Sequence, residues 1–229
     1  MKKILTTAIL CAGLVGFTAC DSFLDEEPKS SLTLDTYYKT SADIIGNVNY
    51  LYRDGAPDKM GNMTGAYRGS SLSVMNMVTG YFVNEYEGQE VDCSYARQLT
   101  RQNFTQSCCN YLTNDTWKGC YKSINVANAV IKYVDGVEMD GQAQYKAEAR
   151  FFRALNYFYL VKMFGDVPMI TEPTEDATLV EYPARTAASE VYKTVIIPDL
   201  QFAVENLPDA TFAGNSHRVT KYAADMLLA

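Results

Sequence analysis

The chain has 229 residues, of which 48% are hydrophobic, and its 27 acidic and 20 basic side chains give a formal net charge of −7. This length suffices for one sizeable folded domain. The acidic balance disfavours nucleic acids and anionic lipid surfaces as partners, because both repel a negatively charged protein.

The first 19 residues have the layout of an export signal. Lys2 and Lys3 form a short positive segment, and an uncharged apolar stretch runs from Ile4 to Phe17. As a helix this stretch would span about 21 Å, short of the roughly 30 Å hydrocarbon core of a bilayer. Residues 1–19 are therefore predicted to be a removable signal peptide.

Cys20 follows this segment directly, after the small residues Thr18 and Ala19. The arrangement resembles a bacterial lipobox, in which cleavage leaves the cysteine as a lipid-modified N-terminus, although Phe17 stands where leucine is usual. Each buried CH₂ contributes about 0.8 kcal/mol, so several acyl chains would hold the protein at a membrane. We expect lipidation of Cys20 and a tether over 20–40, with ordinary secretion as the alternative.

The other cysteines give no metal site. In an exported protein, Cys93, Cys108, Cys109 and Cys120 could form disulfides in three connectivities or remain buried thiols, and the sequence leaves both open. Their spacing fits no zinc motif, and His217 is the only histidine. We expect no metal and no cofactor.

Beyond residue 40 the chain is patterned mainly as amphipathic helix. Thr40 or Ser41 can cap a helix that ends at Gly55 and Pro57. Its predicted buried face consists of Ile44, Ile45, Val48, Leu51 and Tyr52. Residues 58–110 are less regular: Val74 to Tyr81 suggest a helix, whereas 84–98 has no sustained period and is predicted to be a loop.

Two longer helical patterns follow. Apolar residues recur at the 3.6-residue spacing from Trp117 to Val134, and Gly136 is predicted to end that helix in the left-handed conformation. The longest pattern is Gln142–Phe164, which Gly165 ends.

The last third continues the helical pattern. A polar connection over 165–185 leads to a helix predicted from Thr186, in which Pro198 should produce a kink. A last helix is predicted from Val219 to Ala229, without a cap, as in the N-terminal piece of a longer protein. The fold class is therefore all-α, with antiparallel helix pairs as the architecture.

Charged and polar residues interrupt the apolar patterns. Glu148, Arg150 and Arg153 lie along the stripe of the longest helix and are predicted to form an ion-pair network that joins helices. Asn128 is predicted to hydrogen-bond neighbouring backbone and not a ligand.

Five segments, in order, carry a family resemblance: "CDSFLDEEP" with "YYKTSADI", "WKGCYKSINVANAVI", "AEARFFRALNYFYLVKMFGDVPMI", "ARTAASEVYKTVIIPDLQFAVENLP" and "HRVTKYAADMLLA". Together they resemble the SusD/RagB family of outer-membrane nutrient-binding lipoproteins, and they cover most of the chain outside 55–110. The resemblance implies a helical domain of tetratricopeptide-like repeats over 41–229. It also implies glycan capture at the cell surface, delivery to a SusC-like TonB-dependent transporter, and a chain that is the N-terminal portion of a longer protein.

Glycan binding without catalysis requires exposed aromatic faces with amides and carboxylates nearby. The irregular stretch that begins at residue 81 supplies such groups beside several acidic side chains. The predicted ligand-binding residues are Tyr81, Phe82, Asn84, Tyr86 and Tyr95. The alternative is an ordinary solvated acidic loop.

Hydrolysis is the rival function. Glu85, Glu87, Glu90 and Asp92 could supply the acid and base of a glycosidase, but such pairs need a fixed separation on a rigid frame. The sequence has no recognisable Ser-His-Asp arrangement and no phosphate-binding loop. We therefore predict a binding protein and not an enzyme, with a peptide-binding or scaffold lipoprotein built on helical repeats as the alternative.

Overall fold

Helices dominate the computed structural model, which describes residues 33–53, 79–82, 98, 100–103, 106–174, 183–211 and 213–229. The main helices are α1 (Leu34–Tyr37), α2 (Ser41–Arg53), α3 (Gln106–Tyr133), α4 (Gln142–Phe164), α5 (Ala188–Val191), α6 (Ile197–Asn206) and α7 (Lys221–Leu228). A π-helical turn, Tyr192–Ile196, joins α5 to α6, and 3₁₀ turns occupy Val134–Gly136 and Ala213–Asn215. The predicted all-α class is confirmed.

The start of α2 is fixed by a reciprocal capping arrangement. The Thr40 N–H donates to Oδ2 of Asp43 at 2.8 Å, and the Asp43 N–H donates to Oγ1 of Thr40 at 3.4 Å. This satisfies backbone donors that the first turn of a helix leaves without partners. On the predicted inner face, Ile44, Val48 and Leu51 are fully buried.

The helices α3 and α4 form an antiparallel pair across a tight turn. The 3₁₀ turn that contains Gly136 ends α3, but Gly136 itself does not have a positive φ, so its predicted left-handed conformation is wrong. The left-handed residue of this turn is Gly141 (φ 71°), directly before α4. Gly165 (φ 69°) ends α4 where the sequence predicts, because its N–H still bonds to the Val161 carbonyl while its φ leaves the helical range.

The central element of the described fold is α4. It packs against α2, α3 and α6, and α6 in turn pairs with α7. The small side chains of Ala147, Ala149 and Ala154 are fully buried on α4 and allow this close packing on several sides. Successive antiparallel helix pairs are thus the building unit.

The connection after α4 contains a short antiparallel ladder between β1 (Val167–Pro168) and β2 (Arg185–Thr186). Thr186, predicted to open a helix, pairs with Val167 in this ladder. Helix α5 begins at Ala188, whose N–H donates to Oδ1 of Asp166 at 2.9 Å. The cap comes from a residue 22 positions earlier, so the local sequence could not place the helix start.

Pro198 lies where the helical geometry changes, and the predicted kink stays a prediction. It occupies the first turn of α6, directly after the π-helical turn, and the Ile197 N–H bonds to the Tyr192 carbonyl five residues earlier. Proline lacks an N–H and its ring clashes with the carbonyl four residues before it. The wider turn accommodates this while the chain stays helical.

One compact unit runs from Leu34 to Ala229. Tyr38, within the range predicted as a tether, is buried and stacks on Tyr133 with ring centroids 5.2 Å apart. The last helix begins at Lys221, two residues after the predicted start. None of the described helices has both the length and the apolar composition needed to cross a bilayer.

Candidate functional site

Two of the five predicted ligand-binding residues lie in the described part of the chain, and both are at the surface. Tyr81 is 91% exposed and Phe82 is 54% exposed. Residues 79–81 form a turn, not the end of the predicted helix, and the Tyr81 N–H donates to Oγ1 of Thr79 at 3.3 Å. Gly80 has a φ of 79°, which a side chain would strain.

The remaining predicted residues, Asn84, Tyr86 and Tyr95, lie outside the described residues, as do Cys20 and the four acidic side chains that were weighed as glycosidase groups. A shared site of five residues stays a prediction. The disulfide state of Cys93, Cys108 and Cys109 also stays open. Cys120, on α3, is buried in the core.

The segment Asp166–Thr174, which contains the strand β1, is held against α3 and α4 by side chains of those helices; we call it the pinned segment. The Tyr121 hydroxyl donates to the Pro168 carbonyl at 2.7 Å. The Tyr157 hydroxyl donates to the Ile170 carbonyl at 2.9 Å and accepts the Ile170 N–H at 2.7 Å. These bonds satisfy backbone groups that a loop lying on a protein surface would otherwise leave to water.

Asn128 connects the pinned segment to the core. Its Nδ2 donates to the carbonyls of Ile170 at 3.0 Å and Glu172 at 3.2 Å, and its Oδ1 accepts from Nη1 of Arg153 at 2.9 Å. Asn128 does bond to backbone, but the predicted neighbouring backbone is wrong, because the two carbonyls belong to a segment more than 40 residues away in sequence. Asn128 is 1% exposed, which makes it a structural residue.

Arg153 on α4 forms a buried ion pair with Asp199 on α6. Its Nε lies 2.6 Å from Oδ2 and its Nη2 lies 2.9 Å from Oδ1, a bidentate geometry. The Nε of Arg150 lies 3.8 Å from the same carboxylate and its guanidinium stacks over Phe202. The predicted ion pairs therefore join α4 to α6.

Glu148, fully buried on α4, belongs to a second and separate network. Nε and Nη2 of Arg218 approach its two oxygens at 2.6–3.0 Å, and the Tyr52 hydroxyl donates to Oε2 at 2.8 Å. Tyr52 also accepts the Val219 N–H at 3.0 Å. The segment before α7 is thereby fixed on α2 and α4.

Burial controls the acid–base properties of these groups. Desolvation raises the pKa of Tyr157 to about 12 and that of Tyr52 further, so both remain neutral donors at physiological pH. Desolvation also raises the pKa of Asp199, while the hydrogen bond and charge of Arg153 lower it. Because these hydroxyl and carboxylate groups are buried, water does not compete for their hydrogen bonds.

Chemically, the described residues provide paired buried charges and exposed aromatic rings. The carboxylates of Glu148 and Asp199 are buried and occupied by arginines. Within the described ranges, no group of three histidine, cysteine or acidic side chains could hold a metal ion. Exposed aromatic rings such as Tyr81 and Phe82 can cover an apolar ligand face.

Sequence reasoning missed the partners of the buried charges. Asp199 and Arg218 were not singled out, and they lie 46 and 70 residues from the groups they neutralise. Charged residues on the apolar stripe of α4 indicate that oppositely charged partners exist. They do not indicate which residues those partners are.

A family model, SusD-like_3, described as "Starch-binding associating with outer membrane", matches residues 22–229. A curated relative, SusD-like protein P2 of Formosa agariphila, is 31% identical over 216 residues, which are 93% of this chain and 40% of that protein. A SusD-like protein of Bacteroides ovatus is 29% identical over 99% of this chain and 37% of its own length. The chain thus spans about two fifths of the length of these relatives.

Solved structures show the same architecture. A SusD-like carbohydrate-binding protein of Bacteroides fragilis aligns with a TM-score of 0.66 at 22% identity, covering 84% of this chain and 37% of that one. A protein described as a laminarin-binding SusD-like protein aligns with a TM-score of 0.64 at 25% identity, covering 83% and 39%. The helical, tetratricopeptide-like arrangement is common to these structures and this chain.

Proposed function

The chain belongs to the SusD-like family, and we propose that it binds glycans at the outer-membrane surface without cleaving them and delivers them to a SusC-like TonB-dependent transporter. The observation that carries the proposal is the family match over residues 22–229, whose description names starch binding and the outer membrane. The similarity to a laminarin-binding protein supports a carbohydrate as the ligand class.

The geometry is compatible with binding to a rigid surface. Glycans in water are already well solvated, so a binding site gains most from aromatic groups whose positions are fixed before the ligand arrives. The two buried ion-pair networks and the pinned segment supply a scaffold with few free torsions. Tyr81 and Phe82 are exposed at the turn over 79–82 and would cover the C–H face of a sugar ring.

Attachment to the membrane follows in this proposal from acylation of Cys20. In the native host, Cys20→Ser should abolish acylation, detected by mass spectrometry of the N-terminal peptide, and move the protein out of the membrane fraction. Cys11→Ser is the matched control, because Cys11 lies within the predicted signal and should be removed with it. An unacylated N-terminus in the wild type would refute the anchor.

Glycan binding is tested by affinity electrophoresis of the chain without residues 1–19 in gels that contain soluble starch or laminarin. We expect retardation, and we expect no reducing sugar to be released during prolonged incubation. A Tyr81→Ala/Phe82→Ala double variant should migrate faster than the wild type, whereas Tyr37→Ala, on the surface of α1, should not change migration.

The outcomes separate the alternatives. Released reducing sugar would overturn the non-catalytic assignment. Absence of retardation in both glycans, together with calorimetric heat on titration with peptides, would favour the peptide-binding alternative.

A further inference from the structure

Tyr222, near the start of α7, is an exposed aromatic residue whose ring position is fixed. The side chain is 55% exposed, yet its hydroxyl donates to Oδ1 of Asp209, in the turn after α6. The ammonium group of Lys221 lies 5.2 Å from the ring centroid. A ring held at its hydroxyl and at its face loses less conformational entropy when a ligand covers it.

The polar groups beside the ring keep unused hydrogen-bonding capacity. Asp209 also accepts from Nζ of Lys221, and an ionised carboxylate offers about four acceptor positions, of which these two bonds use only part. Hydrogen bonds from Lys221 and Tyr222 lower the pKa of Asp209, so the carboxylate stays ionised at neutral pH. The ammonium group has three N–H donors.

A backbone hydrogen bond joins α7, which carries Lys221 and Tyr222, to the turn that carries Asp209. The Lys221 N–H donates to the Pro208 carbonyl at 3.2 Å, which fixes the start of α7 next to the turn that holds Asp209. One helical turn further, Met226 is 84% exposed and extends the apolar surface beside the ring of Tyr222. The result is an apolar face with a charged, hydrogen-bonding rim at one end.

This combination matches the two sides of a pyranose. The C–H face of a sugar ring is apolar and stacks on an aromatic ring, while its hydroxyl groups donate to carboxylates and accept from ammonium groups. We propose that Tyr222, Asp209 and Lys221 form a contact site for one pyranose unit of a neutral oligosaccharide. The site lies outside the predicted Tyr81–Tyr95 region, and the inference rests on the proposed glycan-binding function.

Variants separate the ring from its polar rim. In calorimetric titration with laminarin or soluble starch, Tyr222→Ala should weaken binding about fivefold, within the range for contacts to an aromatic ring. Tyr222→Phe keeps the ring and should weaken binding only about twofold. Asp209→Asn keeps the shape but loses the ionised acceptor, and we expect roughly a threefold loss. Tyr37→Ala, which removes an exposed tyrosine anchored by an amide and not by a carboxylate, should bind like the wild type.

Oxidative footprinting supplies a second readout that needs no variant. Bound laminarin or starch should protect Tyr222 and Met226 from hydroxyl radicals and leave Tyr37 equally reactive. Wild-type binding that Tyr222→Ala does not weaken, or a footprint without protection at Tyr222, would overturn this site and leave the proposed function intact. No binding of either glycan by the wild type would overturn both. An unreactive Met226 in the ligand-free protein would show that protein covers the face, which also refutes the site.

Discussion

Replacing Arg153 by methionine would leave the carboxylate of Asp199 buried without its bidentate partner. In the wild type both side chains are almost inaccessible, at 10% and 3% exposure, and Nη1 of the same guanidinium also bonds to Asn128. Methionine has a similar length and fills much of the same volume, so the substitution removes the charge and hydrogen bonds with little loss of packing.

The expected cost follows from the geometry. Removing one partner of a buried ion pair destabilises a protein by about 3–5 kcal/mol, because the other charge is left without compensation. Arg150, 3.8 Å from the same carboxylate, offsets part of this loss and places the expected value near the lower end. At about 2–4 °C per kcal/mol for a unit of this size, the melting temperature should fall by about 6–12 °C.

Urea unfolding followed by circular dichroism measures this cost. The control is Lys146→Met, which removes the same kind of charge from an exposed pair with Asp135 and should cost no more than about 1 kcal/mol. The double variant Arg153→Met/Asp199→Leu should recover most of the loss, since apolar replacement of a whole buried pair is nearly neutral. Equal stabilities for the Arg153 and Lys146 variants, or a double variant no better than the single, would refute the reasoning.

Three further predictions concern other contacts. Asn128→Leu removes the side-chain donor to the Glu172 carbonyl and one of the two donors to the Ile170 carbonyl, at a cost of about 1–3 kcal/mol, and should speed hydrogen exchange of the Ile170 amide; unchanged exchange there would contradict the role of Asn128. Hydrogen bonds from Thr40 lower the pKa of Asp43, so an NMR titration should place it below the ordinary value for aspartate, and Thr40→Ala should raise it. The stabilisation from this cap is then present above the unfolded pKa and is lost as the pH falls through the folded one; an Asp43 pKa unaffected by Thr40→Ala would refute the link. Arg218→Lys cannot reproduce bidentate pairing with its buried carboxylate partner on α4 and should lower the free energy of unfolding by about 1–3 kcal/mol in urea, whereas wild-type stability would show that the fork geometry is dispensable.

The sequence was most informative where the structure depends on local pattern. The bounds of α4 were predicted at both ends, because a long apolar stripe stops at Gly165, whose φ is positive. A cap of α2 by Thr40 or Ser41 was predicted for the same reason, and Thr40 provides it, since donor and acceptor lie three residues apart.

Long-range contacts could not be predicted in the same way. The start of α5 depends on a cap from Asp166, and the burial of Glu148 depends on Arg218. A single sequence shows that a charge interrupts an apolar face, but the partner is selected by the packing of helices distant in sequence. The pinned segment shows the same limit: its order comes from the tyrosine and asparagine side chains of α3 and α4.

The family resemblance predicted the tetratricopeptide-like fold, whereas the hydrophobic patterns predicted only helices and their approximate bounds. Most of its matching segments form the scaffold, so they identified the fold without locating the ligand. Of the proposed contact residues, Tyr81 and Phe82 were predicted from an irregular aromatic stretch. Tyr222 was not, because its anchoring by Asp209 depends on the turn between α6 and α7.

The most direct test of the central claim is calorimetric titration of the chain with a laminarin oligosaccharide of defined length, followed by chromatography of the recovered sugar. Glycan binding without catalysis predicts saturable heat and an oligosaccharide recovered at its original length. Saturable heat with shortened products, or no heat with this oligosaccharide and with its starch counterpart, would contradict the account.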